Sequence, residues 1–169
     1  MQKVCGQKCA LELAQSDREK KEAKQKSDEI KKVRQKLKQL SMKDRSKALR
    51  EAQKAFNAYI RERDKGLPCI SCGRSTGCKV NAGHYLSVKA HPELRFDEKN
   101  VHLQCEHCNC YLSGNQVNYR KGLIERFGES IVDYLESNHE LVKRSVDEIW
   151  VIRDKYKAKL KELKLNKGE

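Results

Sequence analysis

The chain has 169 residues, with 37 Lys+Arg against 24 Asp+Glu, a formal net charge of +13 and a pI near 9.4. Charged residues make up 36% and the broad hydrophobic set 37%, which disfavours one large core and favours a small domain with long appendages. No run of about 18 apolar residues exists, so no transmembrane helix is expected, and the charged start of the chain excludes a secretory signal.

Those exclusions imply a reducing, cytoplasmic setting in which disulfides rarely persist, so eight cysteines point to metal. The basic pI points to a polyanion partner, with nucleic acid the usual one. Residues 1–65 carry 20 Lys+Arg against 10 Asp+Glu, whereas 66–118 carry 5 against 4. The positive charge is thus concentrated in an N-terminal arm.

Residues 10–40 contain no Pro or Gly and are rich in Lys, Glu, Gln and Ala, which favours helix by propensity. Apolar spacing appears only at Ile30, Val33, Leu37 and Leu40, under two heptads, so 10–29 reads as a solvated helix or as disorder. Residues 44–65 form a better helix, with Leu49, Ala52, Ala55, Phe56, Tyr59 and Ile60 on one face. Gly66 and Pro68 are its stop signals. Residues 66–115 hold Gly, Pro and Asn and most of the Cys and His, and describe a small irregular domain held by something other than bulk burial. Leu123, Ile124, Phe127, Ile131 and Leu135 then form a helical stripe interrupted by Gly128. A last helix opens at Ser145 with Glu148 completing a capping box, and carries Ile149, Ile152, Tyr156, Leu160 and Leu163.

Cys69-Ile70-Ser71-Cys72 and Cys105-Glu106-His107-Cys108 are two C-x2-C pairs. Each offers two thiolates from a tight turn, and together they fill a tetrahedral structural zinc shell with no open position for catalysis. The long gap between the pairs means that something is inserted between the knuckles. Cys78 and Cys110 read as small packing residues beside them. Cys5 and Cys9 make a half-site that is a remnant or is completed by another chain.

Within and after that insert stand Gly83-His84-Tyr85, Asn100 and Asn109. A zinc-knuckle pair enclosing a His, then an Asn, then an Asn directly after the last Cys resembles an HNH (ββα-metal, His-Me finger) nuclease. The string Leu67-Pro68-Cys69-Ile70-Ser71-Cys72-Gly73, with Ala82-Gly83-His84-Tyr85 and Ser113-Gly114-Asn115, is similar to the NinG (Rap) recombination proteins of lambdoid phages. The Cys-Asn ending also resembles phage endonuclease VII. The resemblance to the NinG family runs from about residue 55 to 165.

That resemblance implies a mainly α fold with a small zinc-stapled ββα-metal core and long N- and C-terminal helices. The expected divisions are a basic arm at 1–43, an amphipathic helix at 44–66, the nuclease core at 67–118 and a helical region at 119–169. It implies that His84 is the general base, that Asn100 holds the hairpin loop so that the base is aimed, and that Asn109 starts the helix and binds a catalytic Mg²⁺ or Mn²⁺. An amide oxygen is a hard ligand suited to those ions. In many such enzymes an Asp or His directly before the base also binds the metal, and here that position is Gly83. Either His84 itself contributes, or another residue does, with Asp97, Glu98, His107 and Asn115 as candidates. His91 reads as a loop residue, and His102 and His139 as packing or surface residues.

Arg61, Arg63, Arg120, Lys121 and Arg126 flank the expected site and are candidates for phosphate contacts. The basic arm is a candidate for salt-dependent DNA-backbone contact. The expected activity is metal-dependent, structure-selective cleavage of branched recombination intermediates such as Holliday junctions and D-loops, by a phage- or prophage-encoded protein in a bacterial host. Two coordinated nicks imply a homodimer, and other recombination proteins are further expected partners. The competing expectations are a non-catalytic zinc scaffold that binds branched DNA, and an HNH endonuclease acting on ordinary duplex.

Overall fold

A computed structural model describes residues 6–75, 78–137 and 139–166. The first helix, α1, spans Gln7–Arg63. No glycine or proline occurs within it, so nothing in the backbone breaks the run between the arm and the expected second helix. The helix is therefore continuous through residues 43 and 44, where the change of apolar pattern suggests a boundary. The chain instead divides by packing, into compact units Met1–Ser46 and Lys47–Glu169. In the first unit Ile30, Val33, Leu37 and Leu40 are all at least half exposed.

In the second unit Ala48, Ala52, Ala55, Phe56, Tyr59 and Ile60 of α1 are buried, at the three-and-four spacing that puts them on one face. They pack with Phe96, Val101, Ile149 and Tyr156. Phe56 meets Phe96 and Tyr156 edge-on. Gly66 follows with φ +89°, a left-handed conformation that ends the helical run without Cβ strain.

Two strands follow, β1 at Val80–His84 and β2 at Val101–Cys105. They pair antiparallel, with Gly83 opposite His102 and His84 opposite Val101. Their connection includes a 3₁₀ turn at Pro92–Leu94. Every residue of β2 is buried. After β2 comes a single π turn, His107–Tyr111, in which Leu112 N–H donates to the His107 carbonyl at 3.0 Å. The helical segment at the second knuckle is thus one turn that includes Cys108 and Cys110, with Asn109 inside it rather than at its start.

Helix α2 spans Gln116–Phe127 and α3 spans Glu129–Glu136, separated by Gly128 at φ +84°. Their apolar faces pack with Ile70, Tyr85 and Leu94. The last helix, α4, spans Val146–Asn166. The capping box forms as expected: Glu148 N–H donates to Ser145 Oγ at 3.2 Å, and Ser145 N–H donates to Glu148 Oε2 at 2.6 Å. The described residues are mainly helical with one small two-stranded sheet. No helix among them is long and apolar enough to cross a membrane.

Gly122 of α2 lies against the first knuckle so closely that a Cβ there would stand 1.9 Å from the Ile70 carbonyl oxygen. Alanine usually improves a helix-interior glycine by about 1 kcal/mol. Here the clash is with backbone, which has no rotamer to give. Gly122→Ala is expected to destabilise by about 2 kcal/mol net, read as a lower urea midpoint at unchanged m-value. A stabilised variant would contradict this packing.

Candidate functional site

The two C-x2-C pairs converge. The Sγ atoms of Cys69, Cys72, Cys105 and Cys108 all lie within 4.8 Å of one another. Zn–S bonds of about 2.3 Å in a tetrahedron require sulfurs about 3.8 Å apart, and the Cys72 and Cys105 sulfurs are 3.7 Å apart. Backbone amides of Cys105 and Cys108 donate to the sulfurs of Cys69 and Cys105, and Asn115 Nδ2 donates to Cys108 Sγ. Such donors favour thiolate over thiol. Burial nevertheless pushes the Cys108 thiol up to about 12. Four cysteines so placed can hold a metal such as zinc, whose charge offsets the cost of gathering thiolates. Cys78 packs partly buried beside the group, whereas Cys110 is exposed and so is not a packing residue. Cys5 lies outside the described residues, so the Cys5/Cys9 half-site has no described geometry.

His84 ends β1 and is half-buried, tilted against Phe56. Its Nε2 lies 3.0 Å from the Arg95 carbonyl. A carbonyl only accepts, so Nε2 carries the proton and Nδ1 keeps its lone pair. Burial also lowers its pKa, with the nearby Arg95 charge adding to that. His84 is therefore a neutral imidazole in a fixed tautomer.

Asn100 is fully buried in the bend just before β2. Its Oδ1 accepts from Leu86 N–H, and its Nδ2 donates to the carbonyls of Leu86 and Leu94. Those bonds tie the ends of the segment that carries the Arg95 carbonyl. Tyr119 of α2, also fully buried, donates to the Gly83 carbonyl and accepts from His102 N–H, each at 2.9 Å. One hydroxyl thus bridges both strands at the residue before His84.

Gly83 has no room for a side chain. A Cβ would lie 2.2 Å from Gln104 Oε1 and 3.0 Å from Asn109 Oδ1. Asn109 Oδ1 thus lies beside Gly83, next to His84 at the end of β1. Gln104 is the residue that the motif gave no reason to single out. A polar residue between Leu103 and Cys105 reads as the solvent side of a strand, but here it is buried and bonded to Ser71 of the first knuckle and to the Gly114 carbonyl. The other candidates for the further metal ligand are engaged elsewhere or exposed. Asp97 accepts from Tyr134 Oη and Lys99 N–H, and Glu98 pairs with Lys159. Asn115 serves Cys108, and His107 is exposed.

The basic candidates separate. Arg61, Arg120 and Lys121 are exposed, with Arg120 paired to Glu136. Arg126 donates to the Pro68 carbonyl, and its Nη1 is buried without a partner. Arg63 faces inward instead. It donates to Asp64, to the carbonyls of Glu98 and Val101, and to His102 Nδ1. Its role is to fasten α1 to β2 rather than to present charge to a phosphate.

The same bonds define His102. Arg63 always donates, so Nδ1 accepts, and Nε2–H donates to the Lys99 carbonyl at 3.0 Å. His102 is therefore neutral despite Asp64 at 3.8 Å. Burial, aided by Arg63, lowers its pKa to about 4. The unfolded chain binds a proton near pH 6.5 that the folded chain refuses until about pH 4, so stability is full above pH 6.5 and declines below it. The expected loss at pH 5 is up to about 2 kcal/mol, measured by urea unfolding. His102→Asn flattens that slope, and an equally steep slope in the variant would exclude His102 as its source.

His91 bonds Glu93 and His139 bonds the Tyr134 carbonyl, both locally. A family model described as Bacteriophage Lambda NinG protein matches residues 1–166. The protein ninG of Escherichia phage lambda is 44% identical over 170 aligned positions, covering 98% of this chain and 83% of the relative. That of Salmonella phage P22 is also 44% identical, covering 98% and 84%. That of Escherichia phage 933W is 49% identical over 134 residues, covering 79% and 67%. No solved structure matches the chain.

Proposed function

This chain belongs to the NinG family of lambdoid bacteriophages, and from its site geometry we propose that it is a metal-dependent, structure-selective DNA endonuclease with an HNH-like ββα core. The observation that carries the reading is His84: a neutral imidazole, tautomer fixed by the Arg95 carbonyl, on a strand end whose preceding residue, Gly83, lies beside Asn109 Oδ1. His84 Nδ1 takes the proton of a water attacking a phosphodiester. Asn100 fixes the loop that aims it. Asn109 Oδ1 is the ligand offered to Mg²⁺ or Mn²⁺, and when bound the ion supplies positive charge to the scissile phosphate. Cys69, Cys72, Cys105 and Cys108 hold a structural zinc that joins the hairpin to the π turn.

The substrate in this reading is branched DNA. Arg61, Arg120, Lys121 and the basic residues of 1–46 contact phosphates, and such binding weakens steeply with salt. Cutting both strands of a junction needs two sites, so the protein acts as a homodimer, with the exposed Ile30, Val33, Leu37 and Leu40 stripe of α1 as its surface. One observation favours a second reading, that of a DNA-binding scaffold without catalysis: Gly83 stands where an acidic or His ligand is usual. Nicking of a supercoiled plasmid bearing an extruded cruciform, compared with the same plasmid lacking it, tests the proposal. Mg²⁺- or Mn²⁺-dependent cutting confined to the cruciform supports it, and binding without cutting favours the scaffold.

A further inference from the structure

Gln104 is fully buried in β2, and its Oε1 has no hydrogen-bond partner. An orphaned buried carbonyl oxygen costs on the order of 1–3 kcal/mol. Flipping the amide does not relieve it. Nε2 donates to the Gly114 carbonyl at 2.6 Å and to Ser71 Oγ at 2.7 Å, and a flipped amide would set its oxygen, which cannot donate, against the Gly114 carbonyl oxygen. Both anchors are local to the cysteine group, so the side chain is locked with Oε1 turned to Gly83.

At Gly83 a second oxygen arrives. The point that a Gly83 Cβ would occupy is 2.2 Å from Gln104 Oε1 and 3.0 Å from Asn109 Oδ1. Two amide oxygens therefore approach one point, and Gln104 Oε1 accepts no hydrogen bond there. Like partial charges so arranged repel unless something positive sits between or beside them. The absence of a side chain at Gly83 is what allows the approach.

We propose that Gln104 Oε1 and Asn109 Oδ1 together are ligands of a hard divalent cation, with Gln104 taking, from the partner strand, the part that a side chain at position 83 would otherwise play. The inference deepens the nuclease reading above and rests on the same site. Amide oxygens suit Mg²⁺ or Mn²⁺, and the half-buried Asn109 leaves the cation open to water and phosphate on its side. Locked by Ser71 and Gly114, Gln104 would keep its ligand atom in place without rotamer cost on binding. A neutral ligand pair leaves the cation's charge undiminished toward phosphate.

The test is Mn²⁺ binding by the zinc-loaded full chain, followed by titration calorimetry, with Gln104→Met beside wild type. Methionine keeps the length and removes the oxygen. The expected result is one Mn²⁺ per chain in wild type and an affinity weakened on the order of 10–100-fold in the variant, at equal zinc content. Because the variant also loses two donors, the side-chain amide resonances of wild type give an independent readout. Those of Gln104 and Asn109 shift with Mg²⁺ and broaden first with Mn²⁺. Unchanged affinity in Gln104→Met, a sharp Gln104 amide in the Mn²⁺ complex, or no Mn²⁺ binding by wild type overturns the proposal. DNA cleavage separates it from the broader reading. Cation binding through Gln104 without cleavage removes the nuclease and keeps this site. Cleavage whose Mn²⁺ dependence survives Gln104→Met keeps the nuclease and removes the Gln104 ligand.

Discussion

Stripping metal from the four-cysteine group is expected to abolish cooperative unfolding of the 67–136 region, and Cys105→Ser is expected to do the same. A structural zinc contributes on the order of 10 kcal/mol to folding, against total stabilities of about 5–15 kcal/mol for a domain. Around the hairpin, outside the cluster that α2 and α3 form with Ile70, Tyr85 and Leu94, this region has little to replace it. Its sheet has two strands of five residues each, and Cys69, Cys105 and Cys108 form a core cluster of their own. The first knuckle is the surface on which Gly122 closes, at the Ile70 carbonyl, and Arg126 donates to the Pro68 carbonyl just before it. Losing the metal therefore releases α2 as well as the hairpin. Thermal melting before and after chelation, with metal content measured in parallel, checks this. An unchanged transition after complete removal of metal would show that the cysteines are packing residues.

His84→Ala is expected to lower the rate of metal-dependent cleavage by about 10²–10⁴ while leaving folding and DNA affinity near wild type, since a positioned general base contributes that much. The wild-type pH profile carries a second signature. Burial holds the His84 pKa below its ordinary value near 6.5, so the rate is flat above that pH and falls only below it, as the imidazole takes up a proton. Single-turnover rates across pH 5.5–8 read this directly. A variant that cuts as fast as wild type, or a rate that keeps its pH dependence without His84, would remove the imidazole from the chemistry.

Much of the frame is legible in the sequence because it rests on local rules. The C-x2-C spacing brings Cys69, Cys72, Cys105 and Cys108 together, and Ser145 with Glu148 caps α4. The apolar face of 48–60 is readable from periodicity alone. What was not legible depends on partners distant in the chain. Arg63 looks like surface charge until the Val101 carbonyl and His102 ring are brought to it. Tyr119 looks like one more apolar residue of a helix, and only the tertiary fold sets its hydroxyl between Gly83 and His102. Gln104 carries no motif at all. Gly83 looks like a defect in the motif, and only the structure reveals that the space beside it is taken by Gln104 and Asn109. The continuity of α1 was obscured by the opposite effect: a change in apolar pattern marks where packing begins, not where the helix ends.

The most direct test is cleavage of a labelled four-way junction and a matched linear duplex by the zinc-loaded protein, with Mg²⁺ or Mn²⁺, wild type beside His84→Ala. Metal-dependent cutting of the junction alone, lost in the variant, is the predicted result. Tight junction binding with no cutting under either metal would contradict it, and would make this chain a DNA-binding scaffold.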